Sequence, residues 1–377
     1  MSSLYLHIPF CRSKCPYCDF YSQPGSAVQL VEYVDLLCAE IEILAQQHPL
    51  PDALQTIFFG GGTPSLLTVR QVERVLGEIG RWFGISDLCE ITLEANPGTL
   101  DENRLLGFRQ AGVNRLSLGV QSLCDQQLKL LGRGHTAAEA CGSVERARKA
   151  GFENLNLDLM FGRPWQGSIR LAEELEGLLT LQPQHISLYG LSYETGTDFS
   201  ARLQRGELTE IDEDEYAEQY SLLQQRLKTA GFEQYEISNF CLPGFRCRHN
   251  QVYWQRKNCL AAGCGAHSFY AAGWGERRVV PPDLEKYRDY LSRRQDPSEQ
   301  LETFDRDGAM AETVYLALRT SDGIDRKQFY ATFGLQPEEA YPKAFSQLFD
   351  RLQQSDDRWI FKPDSWLVYD HLISHFL

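Results

Sequence analysis

A strand-like run followed by a helical pattern recurs six times in the first part of the chain, without sequence repetition. This alternation limits the fold more than any other feature. Strands are predicted at 3–8, 54–60, 89–94, 113–119, 154–160 and 185–190, and helices at 27–47, 68–82, 101–111, 123–150, 169–181 and 212–229. Alternating strands and helices specify an α/β fold with a parallel sheet and right-handed crossovers. Gly112, Gly151 and Gly231 stand in the post-helix position. The acidic run Glu207 to Glu218 reads as a helix start, with carboxylates near the positive end of the dipole.

The strands carry a second signal. Parallel barrel strands usually place bulky aliphatics on both faces. Here one parity is polar. Asn154, Asn156 and Asp158 alternate with Leu155, Leu157 and Leu159, and Thr92 and Glu94 with Ile91 and Leu93. Arg115, Ser117 and Gln121 oppose Leu116, Leu118 and Val120, while Tyr5 and His7 oppose Leu4, Leu6 and Ile8. With the aliphatic parity under the helices, the polar parity must line an open lumen, which is a place to bind something.

Beyond residue 231 the pattern changes. Phe232–Asn239, Cys247–Trp254 and Leu260–Tyr270 read as strand-like and irregular segments. From about Phe304 short helices and a strand at Arg358–Lys362 suggest a small helical or winged-helix-like unit. The expected organisation is a barrel over 1–231, a sheet extension over 232–300 and a small C-terminal domain over 301–377. Lys+Arg 37 against Asp+Glu 51, net −14, weighs against a nucleic-acid partner held through its phosphates. No apolar run approaches a membrane span, and the N-terminus lacks a secretory layout. Eleven cysteines, an odd number, point to a reducing cytoplasmic setting rather than a disulfide framework.

Cys11, Cys15 and Cys18 form a C-x-x-x-C-x-x-C loop directly after the first strand. Three thiolates can hold three irons of a four-iron cluster and leave the fourth open. Structural zinc and ordinary electron-transfer clusters both want four protein ligands. A zinc knuckle would need His7 or Asp19 as its fourth ligand, and a redox C-x-x-C would open a helix, which this loop does not. With Tyr5-x-His7-Ile-Pro-Phe-Cys11 and Tyr17 before the last cysteine, the loop resembles that of radical S-adenosylmethionine (SAM) enzymes of the coproporphyrinogen oxidase type.

The resemblance implies a partial (β/α)6 barrel with a [4Fe-4S] cluster on Cys11, Cys15 and Cys18, and SAM on the open iron. Gly60-Gly61-Gly62-Thr63-Pro64 lacks the lysine of a phosphate loop, and by itself is as much a tight turn as a ligand loop. By resemblance it is the segment that bonds the SAM amino group, through Gly62 and Thr63, with Tyr17 beside the adenine. Tyr5, Glu94, Gln121, Arg133 and Asp158 match the remaining SAM positions; each alone could be a satisfied buried polar group.

Cys247-Arg248-His249-Asn250-Gln251-Val252-Tyr253-Trp254 and Gly263-Cys264-Gly265-Ala266-His267 bring thiols, imidazoles and aromatics together. These are components of a haem or metal site, or of a buried strand pair with bonded histidines. His-Asn-x-x-Tyr-Trp resembles the hallmark of the haem-chaperone branch. In the decarboxylating oxidases the cysteine loop carries a further cysteine where Phe20 stands, and a long N-terminal arm precedes the first strand. The haem-chaperone resemblance implies haem as ligand, with His249 as the contact and Cys247, Tyr253, Trp254 and His267 as secondary ones. Arg246 or Arg248 would pair with a propionate. The implied partners are haem-accepting proteins, membrane-bound respiratory ones among them. The competing expectation is an oxygen-independent coproporphyrinogen III oxidase-type enzyme acting on a tetrapyrrole.

Overall fold

The computed structural model describes residues 2–377. Its central sheet has nine strands, in the order Leu260–Ala262, Ser3–Ile8, Leu54–Gly61, Ile85–Ala95, Arg115–Gln121, Asn154–Phe161, His185–Gly190, Asn239–Cys241 and Glu233–Gln234. The six predicted strands lie side by side, all parallel. Leu260–Ala262 adds a parallel strand at one edge, and Asn239–Cys241 an antiparallel one at the other.

Register explains the lumen. Tyr5 pairs with Phe58, Phe58 with Thr92, Thr92 with Arg115, and Arg115 with Asn154, so these residues form one inward-facing ring. One layer up, Glu94 pairs with Ser117, Ser117 with Asn156, and Asn156 with His185. The other parity, including Leu6, Phe59, Leu93, Leu118, Leu157 and Ile186, is fully buried beneath the helices. That burial drives sheet and helices together.

Most helices follow the expected bounds, among them Ala27–Gln47, Val69–Trp82 and Glu213–Thr229. The predicted 123–150 helix is instead two, Asp125–Leu130 and Ala137–Lys149. Gly132 takes a positive φ of 66° between them, and Thr136 and Glu139 restart the second with a capping box. A further helix, Asp198–Gln204, has no counterpart in the predicted set.

The strand-like reading of Cys247–Trp254 is corrected: Arg248–Trp254 is a helix. Aromatic residues suggested a strand, but His249 and Tyr253 stand four apart and share a helical face. The Glu90 carboxylate fixes the start by accepting from the backbone N–H groups of Arg248 (3.2 Å) and His249 (3.1 Å). The segment 232–300 therefore extends the sheet with short edge strands only. Its other strands, His267–Tyr270, Glu276–Val279 and Glu299–Thr303, form a separate three-stranded sheet.

The C-terminal residues build their own core around Val314, Leu318, Phe329, Phe361 and Trp366. There a three-stranded sheet, Ile324–Asp325, Arg358–Phe361 and Leu352–Ser355, packs with the helices Arg306–Leu318 and Arg326–Phe333. Arg319, paired with buried Glu236 at 3.1 Å, ties this unit to the sheet extension. No helix among the described residues is long and apolar enough to cross a membrane.

Candidate cofactor and ligand site

The cysteine loop caps the lumen at the C-terminal ends of the strands. Cys11 ends a two-residue strand, and the Cys18 N–H donates to the Cys15 carbonyl at 3.1 Å, closing the loop into a turn. All three thiols are half-buried and line the mouth of a cavity of about 350 Å³. Among the described residues, no three His, Cys, Asp or Glu side chains converge as a site for a metal ion.

That cavity collects nearly all the residues expected to hold SAM: Tyr17, Gly62, Thr63, Glu94, Gln121, Arg133 and Asp158. Gly62 sits where only glycine fits. A Cβ there would lie 2.7 Å from the Phe10 carbonyl oxygen and 2.9 Å from that of Ile8. Thr63 Oγ1 donates to Cys11 Sγ at 3.4 Å and accepts from Asn96 Nδ2 at 3.0 Å. Arg133 spans the cavity wall, donating to Cys15 Sγ (3.6 Å), to Tyr17 Oη (3.3 Å) and to the Gly119 carbonyl (2.8 Å). Gln121 adopts a positive φ of 65° at a register shift in its strand, and its buried Oε1 has no partner.

Burial, and then repulsion from Asp158, push the Glu94 carboxyl up to about 8. Burial also raises Asp158 to about 6. Two carboxyls held above their ordinary range, beside an unmatched acceptor on Gln121, leave the cavity short of a cation and of a donor. The ammonium, sulfonium and ribose hydroxyls of SAM supply both, so the residues fit it. A [4Fe-4S] cluster held by the three cysteines would supply the electron for SAM cleavage.

Tyr5 lies deeper. It lines an inner chamber of about 220 Å³, which shares Phe20, Gly61, Glu94, Ser117 and Tyr189 with the larger cavity above it. His249, Asn250 and Tyr253 face this chamber from the helix below. His249 is buried with both ring nitrogens engaged, Nδ1 with Thr56 Oγ1 and Nε2 with Tyr253 Oη, each at 2.9 Å. Burial, reinforced by the Arg115 charge, lowers its pKa to about 3 and keeps the imidazole neutral.

The other haem candidates are dispersed. The Cys247 thiol is fully buried, donates to Glu90 at 3.6 Å, and is pushed up to about 12 by burial. Trp254 faces a different cleft, of about 440 Å³, between the sheet extension and the C-terminal unit, with Arg319 over its ring. His267 is exposed on the separate sheet. Arg246 pairs with Asp322 at 2.9 Å, and Arg248 donates to the Leu88 carbonyl at 2.6 Å. His249 and Tyr253 alone of the set share the lumen.

Sequence reasoning passed over Asn96, Tyr189 and Glu90. The alternation of His185, Ser187 and Tyr189 with Ile186 and Leu188 carried the signal for Tyr189. For Glu90 there was none, because its role comes from a helix far along the chain.

Known proteins resemble this chain in sequence and in fold. A Radical SAM superfamily model matches residues 5–174, and a HemN C-terminal domain model matches residues 304–364. The chain is 35% identical to the heme chaperone HemW of Bacillus subtilis over 352 residues, 93% of this chain and 92% of the relative. It is 39% identical to the heme chaperone HemW of Escherichia coli over 269 residues, 70% of this chain and 69% of the relative. The solved structure of E. coli coproporphyrinogen III oxidase (HemN), described as a radical SAM enzyme, superposes with a TM-score of 0.85 at 20% identity, covering 100% of this chain and 89% of that one. That likeness is one of fold. With a near full-length relative named heme chaperone HemW, a radical SAM barrel and a C-terminal domain of the HemN type, the chain belongs to the HemW family of radical SAM proteins.

Proposed function

We propose that this protein binds haem and passes it to acceptor proteins, with a [4Fe-4S] cluster on Cys11, Cys15 and Cys18 and SAM in the cavity beneath them. The observation that carries the proposal is the near full-length similarity to proteins named heme chaperones. The placement of His249 supports it locally. Iron binds the neutral imidazole, and burial keeps His249 in that form at the foot of the lumen. Ligation at Nε2 requires release of its bond to Tyr253 and a widening of the chamber of about 220 Å³ that His249 faces, which as it stands admits no tetrapyrrole ring.

An anaerobic haem titration of the reconstituted protein, followed by absorbance, tests this with the native chain and with His249→Ala. Tight stoichiometric binding that weakens in the variant supports haem at the His-Asn-x-x-Tyr-Trp helix. Unchanged binding moves the haem elsewhere, with the cleft beside Trp254 next to be tested. The second reading, an enzyme acting on a tetrapyrrole, draws on the completeness of the SAM cavity. Absence of haem binding, with SAM cleavage stimulated by coproporphyrinogen, would favour it.

A further inference from the structure

The floor of the inner chamber is a guanidinium that nothing in the chain receives. Arg115 is 2% exposed and lines the chamber from the ring it shares with Thr92 and Asn154. Its Nε has no hydrogen-bond partner, and no ion pair holds it among the described residues. Thr92 Oγ1 and Asn154 Oδ1, on the same ring, are buried and unpartnered too.

An arginine cannot shed its proton to escape this. The carboxylates whose charge it feels are Glu90 and Asp158. Both are committed elsewhere. Glu90 accepts from Cys247 Sγ and from the N–H groups of Arg248 and His249. Asp158 accepts from Asn156 Nδ2 at 2.7 Å. The chamber's other titratable walls, Glu94, Tyr5, Tyr253 and His249, are held toward their neutral forms by burial.

A buried cation with unused donors, in an uncharged polar chamber, is built for an anion. The volume, about 220 Å³, admits a carboxyalkyl arm or a few waters and is too small for a tetrapyrrole ring. The wall shared with the SAM cavity, at Glu94, Ser117 and Tyr189, gives such an arm a route in. We propose that the inner chamber is a carboxylate subsite, in which Arg115 receives the carboxylate of a propionate-sized arm from a ligand lodged higher in the lumen. The proposal rests on the haem reading only for the identity of that ligand.

Sodium propionate is the first probe, observed by saturation-transfer NMR on the reconstituted full-length protein under anaerobic conditions. The native chain should give a saturable signal that propionamide does not. Arg115→Gln should lose it, Arg115→Lys should keep part of it, and Ser117→Phe, which occupies much of the chamber without removing the charge, should also lose it. If Arg115→Gln does not fold, the other two variants decide. Haem and haem dimethyl ester are the second probe. The native chain should prefer haem by about 10-fold or more, and Arg115→Gln should bind both equally.

No saturable propionate signal, or one that the substitutions leave unchanged, overturns the subsite; haem binding in that same sample leaves the haem reading standing. A propionate signal dependent on Arg115, without haem binding, upholds the subsite and overturns the haem reading.

Discussion

The guanidinium of Arg133 lies 3.6 Å from the Sγ of Cys15, and the same nitrogen also donates to Tyr17 Oη at 3.3 Å. The second nitrogen reaches the Gly119 carbonyl, on a strand in the middle of the sheet. One side chain thus ties the cluster loop to the barrel wall. Arg133→Leu should lower SAM affinity by about 10-fold or more, since each charge-assisted bond is worth about 1.5–3 kcal/mol. Equilibrium dialysis against labelled SAM, with iron content as the control, checks this. Undiminished SAM binding would show that the arginine serves only the loop.

Replacing Cys15 by Ser should remove the four-iron complement and leave the barrel folded, because the core beneath the loop does not use that thiol. Iron and acid-labile sulfide, measured beside the far-UV circular dichroism spectrum, test both halves. Retention of four irons would exclude Cys15 as a ligand.

Gly62→Ala places a methyl group against the Phe10 and Ile8 carbonyl oxygens, and both of these also accept backbone hydrogen bonds, from Thr63 and Gly62. Overpacking of this kind costs about 1–3 kcal/mol. The loss should appear as a lower Tm and, because Cys11 follows Phe10 directly, as reduced iron loading. A variant with native Tm and iron would mean the strand can move aside freely.

The pH dependence of stability follows from buried carboxyls. Glu94 is raised to about 8, as is Glu40, which accepts from Tyr287 Oη (2.6 Å) and the Gly263 N–H (2.7 Å). A raised acid binds more protons folded than unfolded, so stability falls as pH rises between the two values. Buried His249 and His185 titrate with the opposite sign, but only below their ordinary value of 6.5. From about pH 6.5 to 8 the carboxyls stand alone among these four groups. There Tm should fall with pH in the SAM-free protein, each group contributing at most about 1.4 kcal/mol per pH unit. Glu94→Gln should flatten the slope, and an identical slope in that variant would remove Glu94 as its cause.

Glu90 organises the helix that presents His249. Glu90→Ala removes acceptors from two helical N–H groups and from the Cys247 thiol, leaving buried donors unmatched at about 1–3 kcal/mol each. Tm should drop, and any affinity for haem should drop with it. Hydrogen exchange across Arg248–Trp254 would localise the effect, and unchanged protection there would contradict it.

The sequence alone determined the barrel and its polar lumen, because both follow from local periodicity. A strand with Asn154, Asn156 and Asp158 on one parity and leucines on the other can bury only one face in a helical layer, whatever its neighbours are. The three cysteines stood out in one short segment by their spacing, whereas Gly62 and Arg133 were singled out only by the family resemblance. Tertiary structure decided the rest. It made a helix of Cys247–Trp254 through a carboxylate some 158 residues away, and it sent Trp254 and His267 away from the chamber that His249 faces. It also stranded Arg115 without a partner. A sequence shows which face a side chain takes; whether its charge is matched depends on atoms brought close only by folding.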